Sequence, residues 1–359
     1  MTDFFEIDFL GVETDKSGDA IAIRYSRNGA TTIHVVDGGY LDTGDQLVDH
    51  IYAQYNHATH VDHVVLTHPD QDHANGLRKV LERCTVGRLW MNRPWLYAAD
   101  LLHRFSRFQS AESLAKRLRE AYPASVKLEE LAIAKGIPIS EAFQGAQIGA
   151  FVVLTPSKAR FLDLIAESQK TPDVVSSESA TLDSIVEAVA KALKSAANFV
   201  RSKWGEEIFP ADGTSSENEM SVVQIATVAS FTTLLTGDTG RDGLTEAADF
   251  LIARGISLPL KFEVFQVPHH GGRHNVNTAV LDRWLGARLP SKPEKGTWNA
   301  VCSSALKDKD HPRKSVKRAM IHRGANFTET EGKAVRFGTF VRPGWTALSP
   351  SAYPEDQEE

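Results

Sequence analysis

The stretch from Val64 to Leu77 constrains this chain most, because an apolar run ends there in four metal-capable side chains. The residues before the cluster predict a buried strand, and those after Gly76 predict a helix. The cluster consists of His68, Asp70, Asp72 and His73. It therefore lies on a strand-to-helix connection, where α/β proteins usually place their chemistry.

Imidazole and carboxylate together suit zinc, manganese or iron, but the spacing of the cluster is too tight for one tetrahedral ion. It favours two ions sharing a site, with a metal separation of about 3.5–4 Å. The alternative is a solvated polar turn, since thirteen histidines are spread over the chain. A buried strand does not normally end in four unpaired ligands, so we favour a metal site.

The hexapeptide from His68 to His73 resembles the second motif of the metallo-β-lactamase superfamily. It has the His-x-Asp-x-Asp-His form that is typical of the ComEC-type hydrolase branch. The resemblance implies an α/β fold, the αββα metallo-β-lactamase sandwich, in which two mixed sheets are flanked by helices. It also places the metals at one edge, where the strand-end loops converge.

Two later segments resemble further motifs of that branch. A predicted hairpin ends in Leu-Leu-Thr-Gly-Asp238 and is preceded by Asn218, and a predicted strand runs into Pro268-His-His-Gly-Gly. The resemblance implies that Asp238 bridges the ions, that His269 is a ligand, and that His270 either supports the ligands or contacts the substrate. It also makes Asn218 a substrate-binding residue. Gly272 stands where the branch usually has Ser.

The resemblance also implies how the ligands are shared between two divalent ions, zinc or manganese. Asp72, His73, Asp238 and His269 would hold one ion, and His68, Asp70 and Asp238 the other. The superfamily's usual third motif is missing, because no histidine lies between His103 and His269. The first position is therefore expected to be weakly held, filled by an Asn or the substrate, or selective for a harder ion such as manganese.

Several other residues are assigned by their place beside these motifs. Asp37 ends an early strand, and it either supports the metal loop or merely starts the Gly-Gly turn that follows. The ComEC-type ending resembles the segment from Asn299 to Phe337 and makes Ser303, Ser304 and His311 substrate-facing donors. Lys314 and Lys317 belong to a basic cluster near that ending. Such a cluster is usually a solvated helix face, but its place after a site loop favours phosphate binding.

Composition indicates an ordinary globular protein of 359 residues, with a net charge of −6 that gives no general attraction to nucleic acid. Two cysteines exclude a disulfide framework. The acidic start and the lack of a long apolar run predict a cytoplasmic protein with no membrane contact. We expect one domain over residues 1–345, with helical insertions at about 95–140 and 158–210, and an acidic tail over 346–359.

The predicted reaction is hydrolysis by a hydroxide formed on the two ions, with Asp72, His270 and His311 as the catalytic residues. Carboxylate-rich ligands and the basic segment favour a phosphodiesterase, a nuclease acting on DNA. One alternative is an acyl hydrolase such as a lactonase or β-lactamase-like enzyme. Another is a nuclease-like component controlled by a protein partner that binds the inserted helices. The membrane channel of full ComEC proteins has no counterpart here, so DNA uptake is not implied.

Overall fold

Alternating apolar residues organise the chain into two large sheets and one small one, in a computed structural model that describes residues 2–170 and 199–359. The strands, in chain order, are β1 (Phe4–Phe9), β2 (Ala20–Arg27), β3 (Ala30–Gly38), β4 (His60–Val65), β5 (Thr85–Trp90), β6 (Ile139–Ser140), β7 (Gln147–Ile148), β8 (Phe151–Thr155), β9 (Phe199–Arg201), β10 (Val223–Val228), β11 (Phe231–Leu235), β12 (Val264–Gln266), β13 (Trp298–Cys302), β14 (Ala325–Glu329), β15 (Val335–Gly338) and β16 (Asp356–Glu358).

Helices cover the outer faces of the two large sheets. Within the described residues the α-helices are α1 (Leu41–Gln54), α2 (Gln71–Ala74), α3 (Leu77–Arg83), α4 (Ala98–Leu101), α5 (Ala111–Ala121), α6 (Pro123–Ala134), α7 (Lys158–Glu167), α8 (Ser216–Glu219), α9 (Arg241–Ala253), α10 (Thr278–Leu285) and α11 (Lys314–His322). Short 3-10 helices occupy Pro94–Tyr97, Leu102–Arg104 and Pro268–Gly271.

Each large sheet has seven strands and combines antiparallel with parallel pairs. The first has the order β15-β1-β2-β3-β4-β5-β6, and the second has the order β14-β13-β12-β11-β10-β8-β7. β3 and β4 are parallel in the first sheet, and β11, β12 and β13 are parallel in the second. The carboxyl ends of parallel neighbours lie at one edge of a sheet, so the loops that follow these strands are brought together.

Side-chain alternation shows why the two sheets stack. Successive residues of β2 point to opposite faces. Ile21 and Ile23 enter an apolar core shared with Val264 and Val301 of the second sheet, whereas Ala22 faces the core beneath the helices. Layers therefore run helix, sheet, sheet, helix. The predicted αββα sandwich is confirmed.

The insertions differ in detail from the predicted helical tracts. Residues 95–140 hold α4, α5 and α6, and the N-cap Ser110 accepts a hydrogen bond from Ser113 N. After the first tract, β7 and β8 are separated at Gly149, which turns the chain with φ 59°. In the second tract α7 is followed by residues 171–198, which lie outside the described part of the chain.

The segment expected as an acidic tail packs against the second sheet's helices. β16 pairs with β9, and Glu358 accepts hydrogen bonds from the backbone N–H groups of Lys314 and Ser315, each at 2.9 Å. A carboxylate there satisfies free N–H groups at the start of α11 and is favoured by the helix dipole.

Over residues 2–170 and 199–359, no helix combines the length and the apolar character needed to cross a membrane.

The loop that carries the histidine cluster packs against β3 and α1 through Gly38, Gly44 and Gly76. A Cβ at Gly76 would lie 1.8 Å from the carbonyl oxygen of Gly38, and a Cβ at Gly44 would lie 2.2 Å from the carbonyl oxygen of Gly76. Gly76 N also donates to Gly39 O at 2.8 Å. The backbone at the start of α3 therefore contacts the backbone of β3 and α1 directly, with no side chain between them.

We expect Gly76→Ala to lower the free energy of unfolding by about 1–3 kcal/mol, because the methyl group overlaps a backbone that cannot move aside. The change should also reduce the bound metal, since Gly76 is close in sequence to His73. Urea unfolding and metal analysis measure the two effects. Gly213→Ala is the control, because nothing lies within 4 Å of its Cβ position. Equal stability of the two variants would contradict the packing assignment.

Candidate metal centre

Asp37 fixes the backbone and one imidazole of the loop after β4. Its Oδ1 accepts from Thr67 N at 2.9 Å, and its Oδ2 accepts from Thr67 Oγ1 at 2.6 Å and lies 2.8 Å from His73 Nδ1. Asp37 is fully buried and has φ 56°, a conformation that Asp tolerates better than most residues. A carboxylate on Nδ1 favours the tautomer whose Nε2 can bind a metal.

Four ligand atoms from both sheets converge on one position. His73 Nε2 lies 3.5 Å from Asp238 Oδ1 and 3.8 Å from Asp72 Oδ2. His270 Nε2 lies 3.8 Å and 3.7 Å from the same two oxygens. A tetrahedral ion with bonds of about 2.1 Å separates its ligand atoms by about 3.4 Å. The four imidazole–carboxylate pairs thus have a spacing close to that of ligands on one ion, and we call this the Asp72–His270 position.

The hydrogen bonding of these atoms also fits a metal. His73 Nε2, His270 Nε2 and Asp238 Oδ1 are buried and have no hydrogen-bond partner. Buried polar atoms are nearly always paired, so several unpaired ones aimed at a common point indicate a missing ligand. The residues present therefore fit a divalent cation.

The structure places the two adjacent histidines the other way round from the prediction. His270, not His269, brings Nε2 into the cluster, while His270 Nδ1 lies 2.9 Å from Ser303 O. His269 Nδ1 lies 2.7 Å from Asp238 Oδ2, and its side chain is half-exposed. Both residues have left-handed backbone, with φ 49° and 53°, so the two rings leave the turn in different directions. Such strain is typical of functional sites.

Asp19 is a member of the cluster that the sequence did not indicate. It is buried, its Oδ2 accepts from Gln266 Nε2 at 2.9 Å, and its Oδ1 has no partner. Asp19 groups with Asp238 and His270 as ligand atoms within 4.8 Å of one another. In the sequence, Gly18-Asp19 indicates only a turn between strands, and the one available signal is its place directly before a buried strand.

His68 and Asp70, predicted to hold the first ion, converge less well. His68 Nε2 lies 3.6 Å from Asp238 Oδ2 and 4.0 Å from Asp70 Oδ2. Asp70 Oδ1 lies 2.6 Å from Lys170 Nζ, and Asp70 belongs to none of the ligand groups in the described residues.

The predicted substrate residues form two sets. One comprises Ser303, Ser304, Asn218 and His311, and the other comprises Lys314 and Lys317. Ser303 and Ser304 are buried beside the His270 turn with unpartnered hydroxyl groups, and Asn218 Nδ2 lies 3.0 Å from His269 Nδ1. The ring of His311 lies 5.4 Å from that of His269.

Lys314 and Lys317 are already paired with carboxylates. Lys314 Nζ lies 2.8 Å from Asp356 Oδ2, and Lys317 pairs with Glu329. The structure therefore does not leave these two cations free for a phosphate, which corrects the weight that the sequence gave to them.

The electrostatics of the ion-free cluster are dominated by Asp238. Burial opposes its charge, but His73 and the three other surrounding imidazoles hold the pKa of Asp238 well below its usual range. Burial likewise opposes the charged form of His270, yet Asp238 and neighbouring carboxylates raise the pKa of His270 to about 9. The same carboxylates raise the pKa of His73. Protons on imidazole rings thus balance the carboxylates when no metal does.

Residues 14–141 match the family model described as the metallo-beta-lactamase superfamily. The match contains the His68–His73 cluster and ends before Asp238. The match covers less than half of the chain, and together with the two stacked sheets it is consistent with the metallo-β-lactamase fold. The search of curated proteins found no match.

Solved structures give weak likenesses. A diphosphatase from the PhnP family is 9% identical, with 94% of this chain and 99% of that chain covered and a TM-score of 0.39. The hydrolase AbOPH of the beta lactamase superfamily is 11% identical, with 61% and 56% covered and a TM-score of 0.29. CmlA, a diiron beta-hydroxylase from Streptomyces venezuelae, is 12% identical, with 74% and 34% covered and a TM-score of 0.31. Likenesses this low indicate neither substrate nor reaction.

We expect metal binding to release protons and to strengthen as pH rises. His270, with a pKa of about 9 without metal, is protonated at neutral pH, and a ligand must lose that proton. Affinity for Zn²⁺ or Mn²⁺ should therefore increase between about pH 6 and about pH 9, by up to about tenfold per pH unit for each proton released. Calorimetry in buffers of different ionisation enthalpy measures the release. An affinity that does not change with pH would contradict the protonated state of His270 in the metal-free protein.

Proposed function

We propose that this protein is a metal-dependent phosphodiesterase, and that DNA is among its substrates. The convergence of Asp72, His73, Asp238 and His270 carries the proposal, because their imidazole–carboxylate pairs lie 3.5–3.8 Å apart. The ligand atoms of His73, Asp238 and His270 are also buried and unpaired. A bound divalent ion would supply an activated water and positive charge for a reorganising phosphate. The resemblance to the ComEC-type branch supports DNA as the polymeric diester.

In this proposal, His311 handles a proton at the leaving oxygen. Its Nδ1 lies 3.2 Å from Asp308 Oδ2, and Asp308 also accepts a hydrogen bond from Ser17 Oγ at 2.8 Å. Burial lowers the pKa of His311 despite the carboxylate. A neutral ring held through Nδ1 leaves Nε2 to take up a proton and return it. Ser303 and Ser304 add hydroxyl groups on the same side, next to the His270 turn.

The surroundings of the site give less support to acyl hydrolysis. The cavity beside His68, lined by Leu66, Pro69, Phe161 and Met220 among others, has a volume of about 10 Å³. That volume holds about one water molecule, whereas pockets for small organic ligands usually measure about 300–1,000 Å³. A lactone or β-lactam side chain would need another apolar surface.

Cytoplasmic location remains part of the proposal. It is supported by Cys84 and Cys302, which are both buried and unpaired, as is usual in a reducing compartment.

A panel of substrates tests the proposed function. We expect the protein loaded with zinc, manganese or magnesium to cleave bis-p-nitrophenyl phosphate and single- or double-stranded DNA, and to lose that activity with a chelator. Asp238→Asn should bind no ion and be inactive, since the amide removes the central charge while keeping the side chain's shape. Asp15→Asn, at a highly exposed side chain, is the control.

One outcome of this substrate panel would contradict the proposal. Absence of metal-dependent cleavage of every diester, with turnover of a lactone or a β-lactam under the same conditions, would replace phosphodiester hydrolysis by acyl hydrolysis.

His311→Gln should lower kcat on the diester by about 10²–10⁴-fold, the usual contribution of a positioned general acid or base. Metal content should stay unchanged, because His311 belongs to none of the ligand groups in the described residues. Lys309→Ala, at a nearby exposed residue, serves as the matched control. A His311→Gln enzyme that keeps full kcat would remove His311 from the proposed chemistry.

A further inference from the structure

Two ions are expected from the sequence, but the two positions differ sharply in how free their ligands are. At the Asp72–His270 position, the two imidazole Nε2 atoms and Asp238 Oδ1 have no hydrogen-bond partner. The other position would use His68, Asp70 and Asp238 Oδ2. Two of these three groups already have strong partners.

Lys170 forms an ion pair with the Asp70 carboxylate. Its Nζ lies 2.6 Å from Asp70 Oδ1, a distance typical of a close charge-assisted contact. The ammonium group therefore sits against the carboxylate that the first ion would need. Of the described residues, His68 is the one predicted ligand of this position whose ring nitrogen is buried and unpartnered.

His269 contacts one oxygen of the Asp238 carboxylate, the second carboxylate of this position. Its Nδ1 lies 2.7 Å from Asp238 Oδ2, while Oδ1 of the same carboxylate belongs to the Asp72–His270 position. A second ion would have to share Oδ1 with the first, because one carboxylate oxygen can bridge two ions, or displace the imidazole from Oδ2. Here one oxygen is engaged by an imidazole of the same turn.

Both competing groups are held in place by α8. Glu217 accepts a hydrogen bond from Ser168 Oγ, and Ser168 Oγ in turn accepts from the backbone N–H of Lys170 at 3.0 Å. The next residue, Asn218, lies 3.0 Å from His269 Nδ1 through its Nδ2. Ser215 caps this helix by accepting from Asn218 N. One short helix thus positions Lys170 and His269 together.

We infer that the centre holds one divalent ion, at the Asp72–His270 position, and that the Lys170 ammonium takes the place of the second ion. The ammonium group supplies positive charge beside the reacting phosphate without a second metal. Its catalytic consequence rests on the proposed function, whereas the number of bound ions does not.

Metal stoichiometry tests the inference directly. The wild-type chain, titrated with Zn²⁺ and separately with Mn²⁺ and then freed of excess metal, should bind one ion per chain. Lys170→Ala should bind two, because Asp70 is then free to act as a ligand. Lys170→Arg, which keeps the charge, should bind one. Lys158→Ala is the matched control, since Lys158 lies on the same inserted tract as Lys170 but pairs with Asp100, at 3.7 Å.

A second readout is the electron paramagnetic resonance spectrum of the manganese-loaded protein. The wild type should give the spectrum of an isolated ion, and Lys170→Ala that of a coupled pair. Two ions in the wild type, or a single ion in Lys170→Ala at saturating metal, would overturn the inference.

The two proposals fail separately. A wild type that binds two ions and cleaves diesters would keep the proposed function and reject the role of Lys170. A wild type that binds one ion and cleaves no diester would reject the function and keep the single-ion centre. At a metal level that fills one position, Lys170→Ala should cleave bis-p-nitrophenyl phosphate at least about tenfold more slowly than the wild type, because one positive charge beside the phosphate is lost.

Discussion

The buried carboxylate of Asp238 is the interaction on which the site depends. It lies among four imidazole rings, and it comes from the second sheet while two of those rings come from the first. A buried charge is costly unless it is paired, so the fold must place counter-charges around it within a few ångströms. The Asp37–His73 contact, the strained His269–His270 turn and the glycine packing under α3 all serve that placement.

Much of the fold could be predicted because it rests on local patterns. Alternating apolar residues mark β1, β2 and β3, and Asn28-Gly29, a sequence typical of tight hairpins, forms the turn between β2 and β3 with both residues at positive φ. The ligand motifs each follow a strand, so their convergence at one edge of the two-sheet sandwich also follows from chain order. His68, Asp72, His73 and Asp238 were found this way because the residue type and the strand end coincide.

The rest could not be predicted because it depends on tertiary geometry. Which of His269 and His270 faces the cluster is decided by two left-handed backbone residues, and no spacing rule reveals that. Asp19 was hidden because its partners come from Gln266 and His73, far away in the chain. The sequence alone indicates no ion-pair partner for the basic residues Lys314 and Lys317. Only the folded chain places Asp356 and Glu329 beside them.

The two-sheet origin of the ligands has a consequence for how the molecule holds together. Asp72 and His73 follow a strand of one sheet, and Asp238 and His270 follow strands of the other, so a bound cation would act as a cross-link across the sandwich. Such a cross-link stabilises only the folded state, by an amount that grows with the logarithm of free metal concentration. Metal supply would then set how tightly the two halves of the protein stay closed at this edge.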